Sequence, residues 1–286
     1  MKSITALINA PSAHWVGNGF PVKSLFSYDN QAAQMSPFLL LDYAGPMHFP
    51  GDGVKRGVGV HPHRGFETVT IVYKGEVEHK DSTGKGGVIG PGDVQWMTAG
   101  AGILHEEFHS QRFSQSGGEL QMVQLWVNLP KVAKMAPPGY QGIVKDAIPN
   151  VSLPKNAGSI RIIAGEFDEH LGPATTHSPM NVWDMRLNAG SESNFTLSQG
   201  WGAAVVVLEG AVSVNGSEPA TETNMVVLSR QQTGITLRTE QSSLVLLLSG
   251  DPINEPVVGH GPFVMNTKAE IVQAFNDLKE GQFGRL

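Results

Sequence analysis

A chain of 286 residues has room for one large domain or two of ordinary size, and 40% hydrophobic against 16% charged residues describes a globular chain able to bury a core. A net charge of −6 and a pI near 5.9 argue against a basic, non-specific nucleic-acid-binding face. With no cysteine, disulfides, zinc-thiolate centres and cysteine nucleophiles are excluded, which fits a reducing compartment.

The start, Met1-Lys2-Ser3-Ile4-Thr5, lacks the long apolar stretch of a secretion signal, and no apolar run reaches the length of a membrane span. The expected location is therefore cytoplasmic, and no membrane or direct nucleic-acid partner is expected. The 34 glycines and 18 prolines suit many short strands and tight turns better than a helical bundle.

In chain order, Pro37-Phe38-Leu39-Leu40-Leu41-Asp42-Tyr43 predicts a buried strand closed by Gly45-Pro46. A glycine-rich approach leads into His61-Pro62-His63. The β-branched and aromatic run Thr68 to Tyr73 predicts a strand, Lys74-Gly75 a turn, and Glu76 to Lys80 an antiparallel return. Gly84 to Gly87 reads as a loop, Val94 to Met97 and Glu119 to Leu129 as strands. Pro130, Pro137 and Pro138 punctuate a stretch from Lys131 to Gly142 that reads as an inter-domain connector. A second strand-rich half follows, with strands expected at 160–164, 181–187, 203–208, 225–228 and 244–248. At the end, Asn266-Thr267-Lys268-Ala269-Glu270 opens a helix over Thr267 to about Lys279, its apolar face marked by Ile271, Ala274, Phe275 and Leu278.

The halves rhyme around one hairpin: Ile71-Val72-Tyr73-Lys74-Gly75-Glu76-Val77 matches Val206-Val207-Leu208-Glu209-Gly210-Ala211-Val212. Counting back from the turn glycine places Thr196 and Ser198 where the first half has His61 and His63, and Gly202 where it has Glu67. Only the first half then carries metal-binding chemistry.

That chemistry rests on two pairs at strand spacing. Residues i and i+2 of a strand point to one face, so His61 with His63, and His105 with Glu107, each present two metal-capable side chains together. One His-x-His pair is an ordinary strand-end pattern. Two same-face pairs after glycine-rich turns predict a metal site with His61, His63, His105 and Glu107 as ligands, because crowded, desolvated imidazoles need the partner a divalent cation supplies. Pro62 marks an edge or a bulge. Parity selects Glu107 over Glu106, and Glu67, a competing carboxylate, is expected behind the ligands rather than on the metal. Three imidazoles without thiolate disfavour magnesium, calcium and soft ions, and leave Fe(II), Mn(II), Ni(II), Co(II), Cu(II) and Zn(II). Four protein ligands on an octahedral ion leave two positions, enough for an organic oxygen and O2. The remaining histidines, His14, His48, His79, His109, His170, His177 and His260, read as ordinary polar positions.

At these residues the chain resembles the pirins, members of the cupin superfamily. His61-Pro62-His63-Arg64-Gly65-Phe66-Glu67-Thr68 resembles the family's first cupin motif, and Pro91 to Gly100 with Gly102-Ile103-Leu104-His105-Glu106-Glu107 its second. Leu125 to Pro130, Pro137-Pro138-Gly139-Tyr140-Gln141, Glu255-Pro256-Val257-Val258 and Gly261 to Thr267 extend the likeness almost to the C-terminus. The resemblance implies an all-β bicupin: two tandem jelly-roll-like barrels with a C-terminal α-helix, the metal-binding cupin over 1–135 and a cupin-like domain without metal ligands over 136–286. It implies one metal, usually iron, held by His61, His63, His105 and Glu107, with Glu67 not a ligand. It further implies either a quercetin 2,3-dioxygenase-like enzyme acting on an aromatic substrate and O2, with Glu107 also serving as base, or a weakly catalytic, redox-sensing protein that regulates a protein partner. Pirins of eukaryotes are nuclear.

Overall fold

The β-branched run from Thr68 lies inside a strand, Phe66–Lys74, almost wholly buried, as residues packed on both faces of a central strand should be. The computed structural model describes residues 1–286, and strands dominate it throughout. Contacts divide the chain into two compact units. The first comprises Ser12–Ala32, Phe38–Lys145 and Ile253–Leu286; the second comprises Met1–Pro11, Ala33–Pro37 and Asp146–Pro252. A single cut at 135/136 therefore does not describe the folding units. The beginning of the chain belongs to the second because Ile4–Asn9 pairs with Asn224–Leu228. The C-terminal helix, expected to end the second domain, belongs to the first, where Phe263, Met265, Ile271, Ala274 and Phe283 form one apolar cluster.

In the first unit a seven-stranded antiparallel sheet runs in the order Gly139–Ile143, Val94–Thr98, Phe66–Lys74, Gly118–Asn128, Phe38–Phe49, Phe20–Phe26, His14–Val16. A four-stranded sheet runs Gly57–His63, Ile103–His109, Val77–Asp81, Gly86–Ile89. The second unit repeats this: Ile4–Asn9, Asn224–Leu228, Gly202–Glu209, Ser243–Gly250, Met180–Leu187, Gly158–Ala164, Asn150–Leu153, with Ser191–Thr196, Gly234–Thr239, Ala211–Val214, Ala220–Thr221 as the smaller sheet. The fold is a bicupin. The weak hairpin rhyme is thus one piece of a full repeat. Gly75 (φ 81°) and Gly210 (φ 84°) take the left-handed turn in both copies. Even a bulge recurs: the register skips from Val72 to Lys74 against Gly118–Asn128, and from Val207 to Glu209 against Ser243–Gly250.

Two expectations are corrected. The strand Phe38–Phe49 is not closed by Gly45-Pro46 but runs through it. Gly45, at φ 104°, passes so close to the Leu120 carbonyl that any Cβ would overlap it, beside a register shift between Leu120 and Met122. The proposed connector holds a 3-10 turn, Lys131–Ala133, but then a sheet strand, Gly139–Ile143, paired with Val94–Thr98. Its glycines and glutamine carry no strand signature; the sheet edge beside it recruits it.

The helix Lys268–Lys279 begins as the sequence predicts. Glu270 N–H donates to Thr267 Oγ1 (3.2 Å), and Thr267 Oγ1 and Asn266 N–H donate back to Glu270 Oε2 (2.9 and 3.1 Å). Thr267→Ala is expected to cost about 1 kcal/mol, read as a lowered midpoint in urea unfolding, with no change at the histidine cluster.

Candidate metal centre

Gly57–His63 is the edge strand of the smaller sheet and Ile103–His109 its neighbour. They pair antiparallel with His61 opposite His105 and His63 opposite Ile103; a bulge follows, since Glu107 lies opposite Val58. Pro62 therefore sits on an edge, where a missing N–H costs least. The imidazole centroids of His61, His63 and His105 lie 4.2–4.9 Å apart, and one nitrogen of each falls within 4.8 Å of the others. Glu107 joins a second such group, with His105 and His79. The chain thus brings three of the four expected ligands into one group and reaches the fourth through the shared His105. Parity holds at the acids: Glu107 is buried, whereas Glu106 turns outward to Lys55 (3.9 Å).

Hydrogen bonds leave the ring nitrogens unequal. His61 Nδ1 bonds the Gly59 carbonyl (2.8 Å), His63 Nδ1 the Pro262 carbonyl (3.4 Å), and His105 Nδ1 lies 3.3 Å from His79 Nδ1. A carbonyl oxygen only accepts, so His61 and His63 hold their proton on Nδ1 and present a lone pair on Nε2. His105 Nε2 is buried without any hydrogen-bond partner. A buried polar atom with no partner costs about 1–3 kcal/mol, and a cation among three imidazoles removes that cost. The donor set fits a borderline first-row divalent ion.

Electrostatics agree. Burial lowers the affinity of every imidazole in the cluster for a proton. His63 falls to about 3 through burial and then the charge of His61, and His105 falls well below the usual range through burial and its three histidine neighbours. Burial pushes Glu107 up to about 7, opposed by hydrogen bonds from Gln95 Nε2 (3.1 Å) and Thr70 Oγ1 (3.4 Å) to its Oε1.

His79, read from the sequence as an ordinary polar position, lies inside the site. It pairs across the sheet with Glu107, its Nε2 bonds Asp81 Oδ2 (3.2 Å), and its ring stacks on Tyr140 at 5.1 Å. The spacing of His79 and Asp81 is itself a same-face strand pair; only the pairing partner was missing. Glu67 lies outside both groups, buried, accepting a bond from Thr98 Oγ1 (2.7 Å). His109 is a core residue, bonded to the Gly19 carbonyl (2.9 Å) among Phe20, Phe49 and Phe113.

The C-terminal segment braces the cluster. Besides Pro262, it supplies Asp277, whose Oδ2 accepts from Arg64 Nη1 at 2.7 Å, one residue past His63. Buried Lys134 donates to Gly65 O, Asn128 Oδ1 and Val264 O at 2.6–2.9 Å and fixes the same turn.

Strand register identifies what the second barrel has in these places. Phe195 lies opposite Ile235 as His61 lies opposite His105, and Val214 opposite Leu237 as His79 lies opposite Glu107. Val205 pairs with Val226 and Leu247 as Thr70 pairs with Gln95 and Gln124. Counting from the turn glycine had pointed to Thr196 and Ser198. The register moves these by one residue, to Phe195 and Leu197, because the following connection is one residue longer. All these counterparts belong to a single apolar cluster. A cavity of about 1270 Å³ in this unit, lined in part by Phe167, Trp183 and Phe195, holds no group of metal-capable side chains.

The Pirin family model matches residues 19–127, and the model of the pirin C-terminal cupin domain matches residues 182–284. The chain belongs to the pirin family. This pirin is 55% identical over 285 residues, 100% of its length and 99% of the other's, to a Pseudomonas aeruginosa protein that carries the provisional name quercetin 2,3-dioxygenase. It is 38% identical over 257 residues to a tomato (Solanum lycopersicum) pirin-like protein, covering 87% of this chain and 82% of that one. A crystal structure of quercetin 2,3-dioxygenase from Acinetobacter baumannii superposes with a TM-score of 0.97 at 52% identity, covering 99% of each chain. An Escherichia coli pirin solved with nickel(II) shares the fold at TM-score 0.65 and 22% identity, over 86% of this chain and 99% of that one. No helix of this pirin is long and apolar enough to cross a membrane.

Proposed function

We propose that this pirin is a metal-dependent dioxygenase that cleaves a flavonol such as quercetin at the 2,3-bond with O2, using Fe(II) held by His61, His63, His105 and Glu107. The observation that carries the reading is His105 Nε2, a buried ring nitrogen without a hydrogen-bond partner, beside two imidazoles whose Nδ1 atoms are tied to carbonyls. The names of the similar proteins from Pseudomonas and Acinetobacter support the substrate class. The ion supplies Lewis acidity and a template for substrate oxygens. Glu107 takes the proton of the flavonol 3-hydroxyl; in the metal-free protein burial raises its carboxyl to about 7, the direction a base at working pH needs. Gln95 and Thr70 hold its Oε1 in place.

The test is oxygen uptake by Fe(II)-loaded protein over a panel of flavonols, diketones and enediols. Flavonol-dependent uptake is expected, and is lost in His61→Ala. Uptake that ignores the flavonol, or persists in a His61→Ala protein stripped of metal binding, defeats the proposal.

Metal binding should also sense pH through Glu107. Its folded pKa is raised to about 7, so the carboxyl becomes protonated as pH falls through 7, and a protonated carboxyl must release its proton to bind the ion. His63, lowered to about 3, and His105, lowered well below the usual range, stay neutral over the same range and add no slope. Affinity for Ni(II), measured calorimetrically, is expected to be about tenfold weaker at pH 6 than at pH 8. A flat profile would remove Glu107 from the ligand set.

A further inference from the structure

Two of the three imidazoles in the cluster have their tautomer set by a carbonyl oxygen, which has no proton to give. The third does not. His105 Nδ1 faces another imidazole nitrogen, His79 Nδ1, at 3.3 Å, and that atom is an acceptor only if His79 carries its proton on Nε2. Asp81 decides this. Its Oδ2 lies 3.2 Å from His79 Nε2, and a carboxylate accepts, so the proton of His79 stays on Nε2 and Nδ1 keeps its lone pair.

A separate path gives the same assignment. The Gln95 amide nitrogen lies 3.1 Å from Glu107 Oε1 and 3.2 Å from His79 Nδ1. When Glu107 is ionised its Oε1 needs a donor there, so the nitrogen end of the amide faces both atoms, and His79 Nδ1 again accepts, its one lone pair shared by the Gln95 and His105 N–H groups. With Nδ1 accepting and Nε2 committed to Asp81, His79 has no nitrogen left for a metal, although it sits within ligand distance of His105 and Glu107. His105 must then carry its proton on Nδ1, leaving the lone pair on Nε2, the atom found buried and without a partner.

We propose that Asp81, acting through His79, sets the tautomer of His105 and so presents its Nε2 lone pair to the metal. Both are positioning residues: neither touches the ion. The proposal rests on the metal-centre reading for its purpose, but the tautomers exist in the metal-free protein and are measured there. Asp81 is suited to substitution because its two oxygens divide their work. Oδ1 accepts from Thr83 N–H (2.8 Å), Thr83 Oγ1 (2.6 Å) and Lys85 N–H (3.3 Å), closing the turn, while Oδ2 alone meets His79. Asp81→Asn keeps an oxygen for the turn and offers an N–H to His79 Nε2, which forces the His79 proton to Nδ1, against His105.

The experiment is long-range 1H–15N correlation of the histidine rings in metal-free protein, with calorimetric Ni(II) titration of the same samples. The wild type is expected to show His79 as the Nε2–H tautomer and His105 as Nδ1–H. In Asp81→Asn the His79 proton moves to Nδ1, the His105 signals shift toward the other tautomer, and Ni(II) affinity falls 10- to 100-fold, the loss usual for an outer-shell partner. Thr83→Val, which weakens the same turn without touching His79, should leave both the tautomers and the affinity as in the wild type. A wild-type His105 protonated on Nε2 overturns the proposal and needs no variant to fold. So does an Asp81→Asn protein with unchanged tautomers and affinity. Wild-type protein that shows the expected tautomers yet binds no Ni(II) instead overturns the metal-centre reading and leaves the relay standing.

Discussion

His105→Ala is expected to abolish metal-dependent stabilisation of this pirin. In the wild type, Ni(II) at a thousand times its dissociation constant should stabilise the folded state by about 4 kcal/mol, because the ion binds a site that the unfolded chain lacks. His105 is the residue shared by both groups of metal-capable side chains and is fully buried between them. Its removal should weaken Ni(II) binding by more than the roughly 100-fold upper limit for loss of an outer-shell partner. The metal-free fold should survive, losing about 0.5–3 kcal/mol, the range of most single substitutions. Thermal unfolding with and without Ni(II) reads both effects at once. A variant that still gains several degrees from the ion would show that the imidazole is not a ligand.

A second large effect is expected in the other barrel, where Leu237 holds the register position of Glu107. Leu237 is 1% exposed within an apolar cluster. A carboxylate there would have neither the donors that Gln95 and Thr70 give Glu107 nor an ion. Leu237→Glu is therefore expected to lower stability by about 3–5 kcal/mol at pH 8, the cost of an uncompensated buried charge. The sign with pH follows from linkage. The new carboxyl has its folded pKa raised above the unfolded value near 4.3, so the part of its penalty due to ionisation is small below that pH and grows as pH rises toward the folded pKa. Urea unfolding at pH 5 and pH 8 should show the larger loss at pH 8, and Leu237→Gln should show no such difference. Equal losses at both pH values would mean that the lumen is not dry.

The contrast between the two barrels explains what could be read beforehand. Long β-branched runs such as Thr68 to Tyr73 and Leu244 to Leu248 announce their strands by composition, and the capping residues Thr267 and Glu270 announce the helix. The two same-face pairs, His61 with His63 and His105 with Glu107, were legible because a period of two is local. His79 was not, although its partner Asp81 stands at the same spacing, because its place in the site depends on Val77–Asp81 lying beside Ile103–His109 rather than beside another strand. Strand neighbours are long-range facts. The same limit hid Gly139–Ile143, whose residues fit a loop equally well, and shifted the second-barrel counterparts by one residue, because spacing counted along the chain cannot register a longer connection. Membership of the termini was hidden most completely: nothing in Ile4–Asn9 names Asn224–Leu228 as its partner.

That exchange of termini bears on how the molecule is made. A chain leaving the ribosome presents Gly57–His63 and Ile103–His109 early, yet the carbonyl that orients His63 belongs to Pro262, and Asp277 follows later still. The opening strand Ile4–Asn9 must likewise wait for Asn224–Leu228. Neither barrel is complete until nearly the whole chain has been synthesised, so a nascent or prematurely terminated chain has its histidines before it has the frame that aims them. Assembly of the histidine cluster is thereby tied to the C-terminal segment and not only to the strands that carry the histidines.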